Sequence, residues 1–210
     1  MSSISIIGLG SMASALADRA VAGGNAVEII GPDPAKTKEL AAALGGATVG
    51  TAGIPPAGDI VILGVPYASA ATVVSQYGDA LDGKVIIDIT NPVTPDFTSL
   101  VTPEGTSGAQ EIAKAAPAGA HVVKAFNTLF ANVLAAGSAE GRPLDVFIAG
   151  DDTQAKARVS AFIESLGLRP MDAGPLPMAR ALENAGLLQL GLMTHSVKHT
   201  NFALGVNVLS

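Results

Sequence analysis

The chain has 210 residues, 49% hydrophobic and 14% charged, which gives enough apolar content for a core and too little charge for a disordered protein. Eighteen acidic residues against 12 basic ones leave a net charge of −6, the wrong sign for holding nucleic-acid backbones or anionic lipid surfaces. The sequence has no cysteine, which excludes disulfides, thiolate nucleophiles and Cys-bound zinc or iron–sulfur centres.

The apolar run Ile4 to Ala17 has no basic segment ahead of it and is interrupted by Asp18 and Arg19, so it does not read as a signal peptide. No later stretch supplies the ~18 uncharged apolar residues of a membrane helix. The expectation is a cytoplasmic protein with neither a membrane nor a nucleic-acid partner.

In chain order, Ile4–Ile7 reads as a buried strand and Ser11–Ala22 as a helix. Strand Val27–Ile30, helix Ala35–Leu44 and strands Ala47–Val49 and Ile60–Leu63 follow, then helix Ser69–Tyr77 and strand Val85–Ile89. Asn91–Gly108 is a long punctuated segment, and loops of that length inside a domain are usually lids or binding loops. Beyond it come helix Ala109–Ala116, strands Val122–Ala125 and Val146–Ala149, helix Thr153–Leu166 and strand Leu168–Met171. In helix Thr153–Leu166, Ala155, Val159, Phe162, Ile163 and Leu166 form one apolar stripe. The last helix, Met178–Lys198, carries Leu182, Ala185, Leu188 and Leu192 on a stripe, with Leu187 and Leu190 adding apolar surface elsewhere. A helix apolar nearly all round is buried, here in part against a second copy, so a homodimer is expected.

Strands that are apolar without alternating are covered on both faces, and strands alternating with helices make parallel sheets. The fold class is therefore α/β, a Rossmann-like, doubly wound, mostly parallel sheet. It forms one domain over residues 1–210, of which 176–210 are a C-terminal helical segment.

The opening Gly8-Leu9-Gly10-Ser11-Met12-Ala13 follows a strand and begins a helix, which is the setting of the G-x-G-x-x-G/A dinucleotide fingerprint. Gly8 allows the tight turn, Gly10 lets backbone approach a pyrophosphate, and Ala13 lets the helix pack on the strand. The helix N-terminus then offers N–H groups to the phosphates. At the end of the second strand an acid reads a free ribose 2′-OH, whereas an Arg accommodates a 2′-phosphate. The residues there are Gly31, Pro32, Asp33 and Pro34, with Lys36 and Lys38 beyond. Asp33 has two roles open to it: a ribose-binding acid, or the N-cap of the helix that Pro34 begins. Lys36 and Lys38 can approach a 2′-phosphate as point charges, so both NAD and NADP remain open.

Three further strand ends point into the same crevice: Gly64-Val65-Pro66-Tyr67, Asn91-Pro92-Val93 and Lys124-Ala125-Phe126-Asn127-Thr128. Asp88, also at a strand end, is either a catalytic acid or the cap of the next turn. His195 and His199 lie four apart, which on a helix puts both on one face, but no Cys or nearby third ligand joins them and no metal is expected.

On these residues the chain resembles the deazaflavin (coenzyme F-420)-dependent NADP reductase family over nearly its whole length. The most specific part of that likeness is Gly167–Leu176, followed by Arg180 and Glu183. The segment His121–Thr128 is also similar to the cytosolic domain of the six-transmembrane metalloreductases, which use NADPH with a flavin. The resemblance implies hydride transfer between NADP(H) and a deazaflavin or flavin acceptor. By position it implies that Gly10, Ser11 and Met12 hold the pyrophosphate, and that Val65, Ser69, Val93 and Ala131, with Pro66 and Asn91 beside them, line the nicotinamide half. Asn127, Thr128 and Leu129 would lie beside the accepting ring, with the C-terminal helix closing that side. Two departures stand out. Deazaflavin reductases carry Ser-Arg after the second-strand glycine, where this chain has Pro32-Asp33. At the position of Asn127 they tend to have His, while the metalloreductase domains have Asn.

Hydride transfer needs positioning more than acid–base groups, which suits a chain with no Ser–His–Asp pattern, and no catalytic side chain is assigned. Two other readings share these features: a non-catalytic NAD(P)-binding redox sensor, and a reductase of a small carbonyl or imine substrate. The second normally needs a large helical domain after the dinucleotide fold, for which the 60 residues beyond Gly150 leave little room.

Overall fold

A computed structural model describes residues 1–139 and 141–209. Its first half alternates strand and helix: β1 (Ser3–Ile7), α1 (Ser11–Ala22), β2 (Ala26–Ile30), α2 (Pro34–Ala43), β3 (Ala47–Val49), β4 (Ile60–Leu63), α3 (Tyr67–Tyr77) and β5 (Val85–Asp88). The second half holds α4 (Gly108–Ala115), β6 (His121–Lys124), α5 (Ala131–Ala136), the short β7 (Ser138–Ala139) and β8 (Arg142–Pro143), β9 (Asp145–Gly150), α6 (Thr153–Ser165), β10 (Arg169–Asp172) and α7 (Ala179–Leu192).

The main sheet has the order β10-β9-β6-β5-β4-β1-β2-β3. Strands β1 to β6 are all parallel and run 3-2-1-4-5-6 across the sheet, the doubly wound arrangement whose direction of travel reverses between β1 and β4. Their alternate side chains feed two cores. Ile4, Ile6, Ile29, Ile62, Ile87 and Val123 pack toward α1, α5 and α6, while Ile7, Val61, Leu63, Ile86 and Val122 pack toward α3, α4 and α7. Burial on both faces explains why these strands are apolar without alternation.

Three features depart from the pattern in the sequence. Strand β9 is antiparallel to β6, with Lys124 opposite Ala149. The connection between them carries only the six-residue α5 and the β7–β8 ribbon, no full crossover, so the chain re-enters the sheet from the edge it left. The C-terminal segment expected to be helical over 176–210 is so only as far as a π-helical turn at Met193–Val197, and left-handed Lys198 (φ 64°) ends it. His195 and His199 therefore fall on either side of the helix end and share no face. The buried stripe of α7 is also not the leucine stripe: Leu182 is buried with Glu183, Gly186 and Gln189, while Leu188 is 57% exposed.

The polar stripe of α7 is explained by its partner. Lys124, at the end of β6 and completely buried, donates from Nζ to Asp88 Oδ2 (2.8 Å), Glu183 Oε1 (2.9 Å) and the carbonyl of Thr90 (2.5 Å). Glu183 also accepts the N–H groups of Gly108 (3.1 Å) and Ala109 (3.3 Å) at the start of α4. Asp88 accepts the N–H of Thr90 (2.8 Å). One ammonium thus joins β5, β6, α4 and α7.

After the helix, the chain runs back along the far side of the sheet. Phe202 meets the ring of Phe130 edge-on at 5.5 Å. Asp145 accepts a two-pronged bond from Arg169 (2.5 and 2.8 Å) and the N–H of Val206 (2.6 Å), while Arg169 also donates to the Val206 carbonyl. The Arg169 hydrogen bonds hold the Asp145 carboxyl below its ordinary range, against the opposing effect of burial, with the Val206 N–H and the Arg169 charge adding to the lowering.

Two outcomes follow from these contacts. Glu183→Ala leaves a buried ammonium short of one carboxylate and two buried N–H groups unpaired, so denaturant unfolding should show a loss of about 3–5 kcal/mol. A loss below about 1 kcal/mol would contradict the triad's structural role. For Asp145, a lowered folded pKa means the stabilisation is full above the ordinary carboxylate range and disappears as pH falls through the folded value. The gap in melting temperature between wild type and Asp145→Asn should therefore be widest at neutral pH and close below about pH 4. A gap that ignores pH would show that Asp145 does not act as a carboxylate there.

Candidate functional site

The turn after β1 is built by close approach. Gly8 has φ 134°, and a Cβ on it would lie 2.0 Å from the Gly64 carbonyl oxygen, so no side chain fits between β1 and the end of β4. A Cβ on Gly64 would in turn come within 2.9 Å of the Ala13 methyl, which is why the third fingerprint position is small. Gly10 differs: a Cβ there would meet nothing within 4 Å. It opens α1 with no side chain capping the first turn, and Gly10 and Ser11 are exposed. Leu9 turns back over Gly31, and Met12 packs against the core. The result is an uncapped helix N-terminus with free space in front of it, the geometry that receives an anionic oxygen.

At the end of β2, Asp33 Oδ1 accepts the N–H groups of Ala35 (3.0 Å) and Lys36 (3.2 Å), with Pro34 in the first turn of α2. Of the two roles open to Asp33, this geometry is the N-cap. Lys36 Nζ lies 4.0 Å from Asp33 Oδ2 on a largely exposed side chain, and Pro32 is exposed beside it.

At the ends of β4 and β5, Val65, Pro66, Asn91 and Val93 line one cavity of about 480 Å³ together with Tyr67, Ala68, Thr90 and Val101. Five residues of the strand-end segments singled out in the sequence, Tyr67 among them, thus converge. Ser69, in the first turn of α3, and Ala131, at the start of α5, lie outside this lining. Val101 reaches the cavity because the long segment folds back on itself through the Val93–Leu100 bridge. Arg180 of α7 fixes the rest of the segment by donating to Thr102 Oγ1 (2.9 Å) and the carbonyls of Pro103 (3.0 Å) and Thr106 (2.5 Å). The wall is mostly apolar, with Tyr67, Thr90 and Asn91 as its polar groups. Burial first, then the charges of Glu111, Glu183 and Asp88, hold the Tyr67 phenol above its ordinary range, so it stays a neutral donor. The Thr90 hydroxyl is buried without a hydrogen-bond partner.

Beside the cavity, Asn91 and Asn127 exchange amide bonds. Asn91 Nδ2 donates to the Asn127 carbonyl (2.8 Å), and Asn127 Nδ2 donates to Asn91 Oδ1 (2.9 Å) and to the Leu182 carbonyl of α7 (2.8 Å). Phe126, in the left-handed region at φ 62°, makes the sharp turn that delivers Asn127, with its ring edge-on to Phe162. Gly186 lets α7 come this close, since a Cβ there would lie 2.5 Å from Asn91 Oδ1. Asn127 Oδ1 and Gln189 Nε2 are buried here without partners. Thr128 and Leu129, expected beside an accepting ring, are buried instead. Leu129 belongs to the α5-side core, so its side chain faces away from the crevice.

Thr90 completes the site without belonging to any motif, while Tyr67 and Lys124 stand in strand-end segments singled out in the sequence with no role of their own. A lone lysine in an apolar strand and a lone glutamate in an apolar helix, Lys124 and Glu183, were the available signal that these two elements meet. Asp88 holds the Thr90 turn and the Lys124 ammonium together, a capping and pairing role. A cavity of about 750 Å³ lies at the opposite edge of the sheet beside Asn25, Asp59 and Arg158, away from all these groups. Among the described residues no group of three His, Cys, Asp or Glu side chains is placed to hold a metal ion, and no helix is long and apolar enough to cross a membrane.

Comparison with known proteins agrees with this geometry. The family model for coenzyme F420-dependent NADP oxidoreductases matches residues 3–92, the half of the sheet that contains the fingerprint turn. Metalloreductase STEAP3 of Rattus norvegicus is 31% identical over 207 residues, 98% of the chain, which spans only 40% of that protein's length. The F420-dependent NADP reductase of Methanocaldococcus jannaschii is 27% identical over 158 residues, 72% of the chain and 68% of the relative. Among solved structures, a hypothetical protein from Sinorhizobium meliloti, SMa0349, is 33% identical with a TM-score of 0.76 over 84% of this chain and 86% of that one. A proposed F420-dependent NADP-reductase from Arthrobacter sp. FB24, 24% identical, shares the fold with a TM-score of 0.86 over 98% of this chain and 99% of that one. The chain is thus similar, over residues 3–92 with their fingerprint turn, to the coenzyme F420-dependent NADP oxidoreductases, and over nearly its whole length to part of a metalloreductase.

Proposed function

We propose that the chain binds NADP(H) across the carboxyl edge of the sheet and passes hydride between its nicotinamide and a deazaflavin or flavin acceptor. The observation that carries this reading is the β1–α1 turn: Gly8 locked against Gly64, open space at Gly10 and an uncapped α1. The residues there fit a pyrophosphate. Gly8, Leu9, Gly10, Ser11, Met12 and Ala13 form its cradle, with Gly10, Ser11 and Met12 presenting backbone N–H groups to it. The adenosine ribose falls to Pro32, Asp33 and Lys36. Asp33 Oδ1 is committed to its helix, which leaves Oδ2 for a ribose hydroxyl and the two lysines for a 2′-phosphate. NADP, the cofactor of the family, is the first reading and NAD the second, because no guanidinium follows Gly31.

The dinucleotide supplies the hydride chemistry, and the protein supplies position. Val65, Pro66, Asn91 and Val93 take the nicotinamide ring, with Ser69 and Ala131 at its margins. The Asn91–Asn127 amide pair, locked to the Leu182 carbonyl, fixes the boundary between this ring and the acceptor. Thr128 and Leu129 contribute backbone only. Rings held at about 3–3.5 Å in that slot react without a protein nucleophile. The apolar wall of Val65, Val93 and Val101 keeps water from the transfer. We also propose that two copies pair through the outer face of α7, where Leu188 is exposed. A light-scattering mass of one chain at micromolar concentration would end that proposal.

The activity is tested by anaerobic loss of nicotinamide absorbance, with NADPH and NADH each run against oxidised deazaflavin and against FMN. Oxidation of NADPH by either acceptor is expected, and silence with both contradicts the reading. Replacing Pro32-Asp33 with Ser-Arg should tighten NADPH relative to NADH by about tenfold, the worth of one charge-assisted bond at ~1.5 kcal/mol. An unchanged ratio would mean that the ribose phosphate lies elsewhere.

A further inference from the structure

Behind the wall of the 480 Å³ cavity the buried charges are unequal in number. Asp88 and Glu183 are two carboxylates around the single ammonium of Lys124, and all three side chains are completely buried. The cluster touches the cavity through one residue: the N–H of Thr90 is held by Asp88 and its carbonyl by Lys124, while Thr90 itself lines the space. Tyr67, on the same wall, packs over Gly108, whose N–H Glu183 accepts. Burial first, then the charges of Glu111, Glu183 and Asp88, hold its phenol above the ordinary range. The cation one turn earlier on α7, Arg180, is directed away, onto the carbonyls and hydroxyl of the long loop. The start of α4 offsets part of the surplus by giving its N–H groups to Glu183. The Thr90 hydroxyl, 6% exposed as a residue and without a partner, marks where a neutral polar group of a ligand would bond.

We propose that this cavity selects the cationic, oxidised nicotinamide over the neutral, reduced one, and so shifts the equilibrium between the bound forms toward the oxidised dinucleotide and the reduced acceptor. The inference rests on the placement of the nicotinamide in this cavity given above. When hydride leaves, the C4–H bond of the reduced ring breaks and both electrons go with the hydrogen to the acceptor. The nicotinamide ring gains one positive charge, and the acceptor takes up a proton from solvent. The surplus carboxylate charge stabilises the cation that forms. The two dinucleotide forms differ at this ring alone, so the phosphates and adenosine cancel in the ratio of their affinities.

The test is calorimetric titration of the intact protein with NADP⁺, NADPH and 2′,5′-ADP, which lacks the nicotinamide. Wild type should bind NADP⁺ more tightly than NADPH. Glu183→Gln removes a buried charge but also disturbs the triad, so Glu111→Gln, half-buried on α4, is the cleaner variant. Each should shift the NADP⁺/NADPH affinity ratio toward NADPH by roughly threefold to tenfold at low salt, and leave 2′,5′-ADP unchanged. A ratio unmoved in Glu111→Gln, or a wild type that prefers NADPH, overturns the inference while leaving dinucleotide binding intact. Failure of wild type to bind either dinucleotide overturns the proposed function as well.

Discussion

The completely buried ammonium of Lys124 is the constraint on which the carboxyl edge of this protein depends. A charge withdrawn from water is tolerated only when every donor position is answered, and here the answers come from β5, α7 and the turn at Thr90. Glu183 must therefore face inward, which sets the rotation of α7 about its axis and turns Leu188 outward. With that rotation fixed, Gly186 abuts Asn91 and the Leu182 carbonyl meets Asn127. The amide pair at the heart of the site follows from an ion triad several ångströms behind it. A hydrophobic packing could have held α7 as firmly, but it would not have specified one register to this degree.

The two halves of the crevice use different physics. The β1–α1 half works through backbone: glycines admit close approach, and an uncapped helix end supplies donors. This half needs few particular side chains, which suits a ligand whose phosphates look alike in many proteins. The β5–β6–α7 half works through side chains held in a network, with a few polar atoms left unanswered at Thr90, Asn127 and Gln189. Buried polar groups without partners are uncommon in folded proteins, and the Thr90 hydroxyl, which lines the cavity, is one of them. Arg180 and the Val93–Leu100 bridge hold the long loop over the same region, so the loop forms wall as well as cover.

The sheet was legible in the sequence because strands buried on both faces leave continuous runs such as Ile60–Leu63, with boundaries falling within a residue or two. The turn Gly8–Ala13 was legible because its steric demands leave few residue choices. The reversal of β9 was not, since a strand carries no mark of its direction and α5 is too short to show a period. The buried face of α7 is hidden in the sequence for a related reason. Leucines dominate hydrophobic patterning, and burial of Glu183 depends on a lysine 59 residues away in sequence. Asp33 shows the limit of local reading, because a ribose ligand and a helix cap call for the same residue at the same place. Only the distances from Oδ1 to the Ala35 and Lys36 N–H groups reveal the cap.

In the proposed complex a dinucleotide lies along the carboxyl edge with its nicotinamide against the Thr90 wall. The most direct measurement is the change in backbone amide NMR shifts as NADPH is titrated into isotope-labelled protein. The largest shifts are expected at Gly10, Ser11 and Met12 and at Val65, Thr90 and Asn91, with little change at the opposite edge. Shifts centred on Asn25, Asp59 and Arg158, around the larger cavity there, would contradict that placement.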